Sequence, residues 1–464
     1  MDKMDNQLWI KLRSIGIFIL AISYLTSVFV QSVWLNEFID VVLIMVVVLS
    51  AAAARGTSRL IGYALFALGG VLLWLYDAPL GVWEQALNRN LFLLVMFTLV
   101  PLLGIPIRRG GYMIVLQGFF KRFVRRDHQF YLLVKIITFL VAILINVAVI
   151  PLMYQLSLAS EKSKNGRLLS TAIIRGFAAS IIWAPSYAAV ALIIELTGAN
   201  WLEFFPYGLF MGTAALLIGW LLTVWQEKSI DSDKTSAGDV KVDDIIISWQ
   251  KIIELTAFGV VMLGSIVVLS IITDIKTVII VALISLVYPL IWLALIGRIR
   301  VFPEEFRGQY FAVNLPKLKN EVVLFLGAGF FSTAVNYSQL GSMVPRLLNG
   351  VVGSNTVLLS IAVVSVTVIF SMAGIHPIIT VTIFGSTLQP EVYHISHNLL
   401  ALMLTVSWSL GVTVSPSSGI NVAMSGQIDR SPMEIGPRWN AGYTFIIMVI
   451  LLLMLNLFNS FSLL

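Results

Sequence analysis

Long apolar runs alternate with short polar segments along most of the chain. Each run approaches or exceeds the roughly 20 residues that a helix needs to cross a bilayer. The pattern therefore predicts an all-α polytopic membrane protein with about 11 transmembrane helices. They fall at about 14–31, 37–54, 60–76, 90–106, 130–158, 204–224, 252–273, 277–297, 321–340, 355–390 and 440–463.

Two further apolar stretches, about 168–198 and 399–428, are interrupted near their middles by polar residues and proline. In lipid an unpaired backbone group is costly, so non-helical backbone survives only where it is buried in protein or lines a wet cavity. We therefore predict that each stretch is a re-entrant hairpin of two half-helices that meet at a polar tip. The charged segment 226–250 lies between them and is predicted to be a solvated tether.

Composition narrows the class of protein and its orientation. Only 12% of the 464 residues are charged and none is cysteine, whereas soluble domains carry about 25% charged residues. An ordinary cytosolic enzyme and a disulfide-stapled module are thereby excluded. With a cytoplasmic N-terminus, 22 of the 30 Lys and Arg face the cytoplasm, while Lys135 and Arg175 lie within apolar runs. This asymmetry predicts a plasma-membrane protein in that orientation, and it explains the net charge of +6 without a nucleic-acid partner.

The two interrupted stretches resemble each other at a fixed offset of 231 residues. Pro185 and Ser186 match Pro416 and Ser417, and the register holds from about residue 110 to 444. We predict N-terminal helices (1–87), a first repeat (88–224), a charged loop with two linking helices (225–318) and a second repeat (319–464). In the predicted topology the spans 90–106 and 321–340 run in opposite directions, so the repeats are inverted. Inverted repeats with discontinuous helices are typical of secondary transporters.

The second tip concentrates four hydroxyl groups and an amide within residues 413–421. Half-helix N-termini supply N–H groups and a positive dipole that suit an anion, and freed carbonyls suit a cation such as sodium. We assign Thr413 to a coupling ion. The predicted substrate-binding residues at the two tips are Pro185, Ser186, Ser415, Pro416, Ser417, Ser418 and Asn421.

Several ionisable residues lie in or beside these apolar stretches. Arg175 either neutralises an anionic substrate or extends towards the membrane interface. His376 either carries a coupling proton or is a hydrogen-bonded histidine at a kink. Glu195 is a weaker candidate for a proton site. Glu203 and Glu434 each follow a polar residue by three positions and precede an apolar run, which is the spacing of a capping box.

The polar residues predict transport rather than chemistry. No phosphate loop or metal-binding spacing is present, and we expect no catalytic residue, metal or cofactor apart from a coupling Na⁺ or H⁺. The leading prediction is a secondary active transporter of a small solute, an organic anion. The alternatives are an exporter or flippase of an amphiphilic or lipid-linked substrate, a membrane enzyme acting on such a substrate, and a channel. An enzyme should bring His, Asp or Glu together, whereas here hydroxyls converge at two tips.

With its two tips, Ala184-Pro185-Ser186 and Ser415-Pro416-Ser417, this arrangement resembles the ion transporter superfamily. That superfamily includes divalent-anion/sodium symporters and arsenite permeases. The resemblance covers about 88–455 and implies an elevator-type transporter, a scaffold domain, a moving domain that holds both hairpins, and a homodimer in the lipid bilayer. The sodium/dicarboxylate branch carries Ser-Asn-Thr at both tips. Because these tips differ, its specificity and sodium sites are not carried over.

Overall fold

The computed structural model describes residues 2–230 and 248–463, without the side chains of 2–6, 121 and 227–230. Most of the predicted charged tether, residues 231–247, lies outside the described residues. Helices make up most of the described part, and their bounds follow the apolar runs. The first twelve are α1 (Asp2–Phe29), α2 (Val33–Ala53), α3 (Gly56–Leu75), α4 (Leu80–Asn88), α5 (Leu91–Leu99), α6 (Gly104–Arg109), α7 (Tyr112–Phe123), α8 (Asp127–Ile145), α9 (Val149–Ser157), α10 (Gly166–Ile181), α11 (Ala188–Thr197) and α12 (Trp201–Ile230).

The helices after residue 248 include four short ones, Phe302–Glu305, Leu315–Lys317, Met343–Val352 and Pro377–Thr387, and the second broken stretch. A π-helical turn, Glu434–Arg438, leads into the last helix. These helices are α13 (Trp249–Ile272), α14 (Thr277–Leu295), α15 (Phe302–Glu305), α16 (Leu315–Lys317), α17 (Lys319–Tyr337), α18 (Met343–Val352), α19 (Thr356–Met372), α20 (Pro377–Thr387), α21 (His397–Val414), α22 (Gly419–Ile428) and α23 (Trp439–Ser460).

The prediction of about 11 spans in an all-α membrane protein is confirmed. Within the described residues, ten helices are long and apolar enough to cross a membrane, or up to 12 if each of two bent pairs is one span. The segment 355–390 contains two helices, α19 and α20, on either side of a break at residues 373–376. The 11 residues of α20 rise only about 16 Å, which is too short to cross a bilayer core of about 30 Å alone.

The chain divides into two compact units. Unit 1 contains the residues up to Pro106, Met262–Gly353 and Thr382–Leu388. Its helices pack closely where a small residue meets a backbone: Gly62 of α3 faces the backbone of Val323 in α17. The buried Asn90 also donates from Nδ2 to Phe325 O at 2.9 Å. Small residues at helix contacts are the usual means of close packing in membranes.

Unit 2 contains the described parts of Ile107–Val261, together with Ser354–Val381 and Gln389–Leu464. Both broken stretches lie in it, as α10 with α11 and as α21 with α22. Gly176 of α10 faces the backbone of Lys135, and Gly212 of α12 faces Ala179 O. Each stretch contains the predicted break. The return of each stretch to its original membrane side, which a re-entrant hairpin requires, stays a prediction.

Candidate functional site

The second break spans residues 415–418, between the end of α21 and the start of α22. Proline at position 416 has no N–H and cannot continue the ladder of α21. Ser418 caps α22: its Oγ accepts from Asn421 N at 3.5 Å and donates to Val412 O at 2.8 Å. Ser415 and Ser417 contact each other through their hydroxyl oxygens at 3.0 Å. The predicted tip residues of the second stretch therefore lie together.

The Asn421 side chain forms hydrogen bonds to the backbone of this break. It is completely buried, and its Nδ2 approaches the carbonyl oxygens of Val412, Thr413 and Ser415 at 3.2, 3.2 and 2.8 Å. Three carbonyl neighbours fix Nδ2 as the donor side of the amide. The freed carbonyls that the sequence analysis assigned to a coupling cation thus accept hydrogen bonds from the protein's own amide.

The other end of the same amide has no partner. Asn421 Oδ1 is buried and accepts no hydrogen bond from the described residues, and the buried Ser371 Oγ is also unpartnered. Ser371 lies at the end of α19 beside Gly411 of α21. A buried polar atom without a partner in a native structure calls for an explanation, such as a ligand. Next to it, the start of α22 is open, because a Cβ added at Gly419 would meet nothing within 4 Å.

The two breaks make equivalent hydrogen bonds at the repeat offset. Ser186 Oγ donates to Ile143 O at 2.6 Å, and Ser417 Oγ donates to Gly374 O at 2.8 Å. Both partners of the first bond are shifted by 231 residues in the second. Each serine therefore ties its break to the end of a preceding helix, α8 or α19.

Contacts and caps follow the same offset elsewhere in unit 2. Ser409 Oγ donates to Ala178 O at 2.6 Å across 231 residues, so equivalent positions of α10 and α21 touch. Asn165 caps α10 and Ser396 caps α21, each through the backbone N–H three residues later. Gly198 and Asp429, also equivalent, both adopt the left-handed conformation after the second half-helix. The structure therefore repeats the features from which the sequence repeat was inferred.

The first break is more apolar than the second. Pro185 and Ser186 are both buried. Tyr187 closes the break, because its hydroxyl and Ser180 Oγ lie 2.7 Å apart and its ring meets Phe177 edge-on. This packing leaves the second break as the more accessible of the two, since Pro416 and Ser417 are half-buried.

The residues predicted to handle a coupling ion lie at different places. Thr413 Oγ1 donates to Ser409 O within its own helix. His376 lies in the break that Ser417 contacts; its Nδ1 accepts from Ile378 N at 3.1 Å, so it caps the start of α20. Glu195 is half-buried on α11, away from the break residues in sequence. Only His376 and Thr413 thus lie beside the second tip, and the coupling roles of all three stay predictions.

Lys135 is a buried lysine that the sequence analysis did not assign to a site. Its side chain is completely buried, and Nζ donates to Ala215 O at 2.8 Å and to Leu216 O at 3.0 Å. The hydroxyl of Tyr443 lies 3.5 Å away. These three groups and Gly219 form a socket around Nζ, and a Cβ at Gly219 would overlap Nζ. The sequence did contain a signal for this position, because a lysine inside an apolar run is by default a candidate functional residue.

Arg175 joins this cluster rather than the tips. Its guanidinium donates to Asn440 Oδ1 at 2.7 Å, Tyr131 Oη at 3.2 Å and Trp439 O at 3.3 Å, and it lies 4.0 Å from the centre of the Tyr443 ring. Ten residues separate it from the first tip, which is roughly 15 Å of helix rise. Its prediction as a substrate ligand is untested, and its contacts here are with the protein.

The capping boxes differ in detail. Ser431 Oγ accepts from Glu434 N at 3.2 Å, which is the N-cap half of the motif. Asn200 Oδ1 instead accepts from Leu202 N, and Glu203 accepts from Asn398 Nδ2 at 2.6 Å. Both glutamates therefore lie at helix starts, as the capping reading predicts. Glu203 also ties its helix to the start of α21.

These apolar helices and the paired broken stretches define an integral membrane protein with a transporter-like fold. The crystal structure of the Alcanivorax borkumensis YdaH transporter, described as having an unusual topology, is similar to this chain. The match has a TM-score of 0.50 at 15% identity and covers 84% of this chain and 89% of that one. At this identity the likeness shows the fold alone. No protein-family profile matches the sequence, and no curated protein matches it either.

Proposed function

We propose that the protein is a secondary active transporter of a small organic anion, coupled to Na⁺ or H⁺, with its binding site at the second break. The observation that carries this proposal is Asn421 Oδ1, a buried acceptor that has no partner among the described residues and lies two positions after Gly419 at the open start of α22. Transport rather than catalysis is the role that hydroxyls, an amide and two broken helices favour.

Different groups at this site suit the substrate and the coupling ion. The N–H groups at the start of α22 suit the anionic group of the substrate, because a helix N-terminus favours negative charge. The Ser417 hydroxyl donates its proton to Gly374 O and offers a ligand only its oxygen as an acceptor. Asn421 Oδ1 suits a coupling cation or a hydrogen-bond donor. His376 lies two residues from the carbonyl that Ser417 contacts and is the candidate for a coupling proton.

The mechanism we propose is of the elevator type. Both broken stretches belong to unit 2, so one body carries every predicted tip residue. In this proposal unit 2 moves the site across the plasma membrane and unit 1 is the scaffold, as in the ion transporter superfamily. A cytoplasmic N-terminus and a homodimer belong to the same proposal.

A thermal-shift screen of the purified protein tests the binding site. The ligands are mono-, di- and tricarboxylates, inorganic anions and lipid-phosphate analogues, each with and without sodium at pH 6 and pH 8. A ligand at 100 times its Kd stabilises the folded state by about 2.7 kcal/mol, which gives a visible shift. We expect one carboxylate class to stabilise the protein, with a dependence on sodium or pH.

Variants of α22 and its break locate the ligand. Ser417→Ala and Asn421→Ala should abolish the shift. Ser425→Ala is the matched control, because Ser425 lies on the same helix but donates to Arg430 O at an exposed position. A shift that survives both break variants, or one that Ser425→Ala removes equally, would exclude the second break as the site.

A further inference from the structure

Unit 1 contains an open cavity of about 850 Å³ between its helix ends. It lies near the start of α1, the end of α2 and the start of α17, which are the ends of candidate membrane spans. The cavity is therefore placed at the depth of a membrane interface rather than at the centre of a span.

Four of the lining residues are cations and none is an acid: Arg13, Arg55, Lys317 and Lys319. Within the described part of the chain, none of the four forms a salt bridge. Arg13 and Arg55 are close enough to Lys319 to act on it electrostatically. Glu321 also acts on Lys319 but does not line the cavity. Among the described side chains, the cavity therefore concentrates positive charge without a lining carboxylate.

Arg13 is the most informative of the four. Its side chain is only 4% exposed, and one terminal nitrogen donates to Pro316 O at 3.1 Å. Its Nε is buried and has no hydrogen-bond partner among the described residues. Guanidinium N–H groups bind phosphate and carboxylate oxygens in a fixed fork. Arg13 therefore brings a guanidinium, anchored through one terminal nitrogen, to the wall of this basic cavity, and such a group suits an anion.

The remaining walls are apolar. Trp9, Ile10 and Leu49 lie beside the cationic residues, together with alanine and proline side chains. Basic pockets between transmembrane helices are where acidic lipid head groups bind. The mixture of cations and apolar walls suits a phosphate ester that carries, or lies next to, an apolar group.

We propose that this cavity binds an anionic phosphate ester through Arg13, Arg55, Lys317 and Lys319. Its source is either the head group of an anionic phospholipid or a free phosphate ester. The site is separate from the second break and does not depend on the proposed substrate. It gives the protein a dependence on phosphate-bearing ligands that the transport site does not explain.

The test measures binding by the full-length purified protein. Native mass spectrometry gives the affinity for phosphatidylglycerol and for phosphatidylcholine of the same chain length. Thermal shift gives the response to sn-glycerol 3-phosphate and inorganic phosphate. The variant is Lys317→Gln/Lys319→Gln, because Arg13 contacts Pro316 and its loss would also affect folding. Its matched control is Arg300→Gln/Arg307→Gln, which removes the same charge from exposed positions that do not line the cavity.

We expect phosphatidylglycerol to bind more tightly than phosphatidylcholine, and the lysine variant to weaken it about 25-fold, or about fivefold for each lysine. The control should change it less than twofold. Stabilisation by sn-glycerol 3-phosphate that the lysine variant abolishes would identify a free phosphate ester as the source. Equal binding of the two lipids with no response to either soluble phosphate would overturn the proposal, and so would equal losses in the two double variants.

Discussion

The socket of Lys135 gives a prediction that depends on a single glycine. Gly219→Ala puts a methyl group where Lys135 Nζ now lies. Because Nζ is held by Ala215 O and Leu216 O in a fully buried position, it has to leave these bonds. Each of the two lost hydrogen bonds costs about 0.5–1.5 kcal/mol, and overpacking costs about 1–3 kcal/mol. We expect Gly219→Ala to lower the free energy of unfolding by about 2–4 kcal/mol.

A double-mutant cycle isolates the interaction between position 219 and the Lys135 side chain. In a Lys135→Met background there is no Nζ to displace. Alanine is also the better helix former by about 1 kcal/mol, which offsets the tight approach to the Tyr443 ring and Tyr131 Oη, at 3.0 and 3.1 Å. Gly219→Ala should then change stability by less than about 1 kcal/mol, so the interaction energy is about 2–3 kcal/mol.

The assay is reversible unfolding in mixed micelles, with the free energy extrapolated to native conditions for all four proteins. Gly264→Ala is the control, since a Cβ at Gly264 meets nothing within 4 Å, and we expect it to cause no loss. If Gly219→Ala costs the same in the wild-type and Lys135→Met backgrounds, the socket is not where the structure places it.

Four further variants probe the repeat and the break. Ser431→Ala should lower the free energy of unfolding by about 1 kcal/mol, as for loss of an N-cap. Glu434→Ala should lower it by less, because the serine makes the cap bond. An unchanged free energy of unfolding for Ser431→Ala would refute the cap. Ser409→Ala should cost about 1 kcal/mol by removing the bond to Ala178 O, and a neutral effect would contradict that contact. Asn421→Leu removes the amide donor from three buried carbonyls, two of which keep a bond from Ser418. It should cost about 1–3 kcal/mol in the same unfolding assay, and an unchanged free energy of unfolding would refute the role of the amide.

The sequence predicts the helices and their breaks well because the controlling signals are local. An apolar run long enough to cross a bilayer has to satisfy its own backbone, so it becomes a helix. Proline at 185 and 416 interrupts that pattern where the structure has its breaks. The fixed offset of 231 residues then relates Ser186 to Ser417, and the structure shows that both donate to equivalent carbonyls.

Contacts between distant helices could not be predicted in the same way. The carbonyl partners of Lys135 lie 80 and 81 residues away, and Tyr443 lies 308 residues away. No periodicity in one sequence relates such positions.

The sequence identifies candidate site residues more readily than it shows what each of them binds. Hydroxyls and an amide near Pro416 indicated a polar site, and the structure brings them together. It does not bring Arg175 to them, because Tyr131 and Asn440 hold its guanidinium. A charged residue inside an apolar run indicates a partner, but only the fold shows whether that partner is a ligand or another side chain.

Measuring flux across the membrane of proteoliposomes is the most direct test of the claim that the protein is a secondary active transporter. The probe is the carboxylate that gives the largest shift in the thermal screen, in radiolabelled form outside vesicles that contain the unlabelled compound. We predict that wild-type protein accumulates label by exchange, that a sodium or proton gradient drives net uptake or efflux, and that Ser417→Ala abolishes both while Ser425→Ala does not. Binding without movement of label, or recovery of the label in a chemically altered product, would contradict secondary transport.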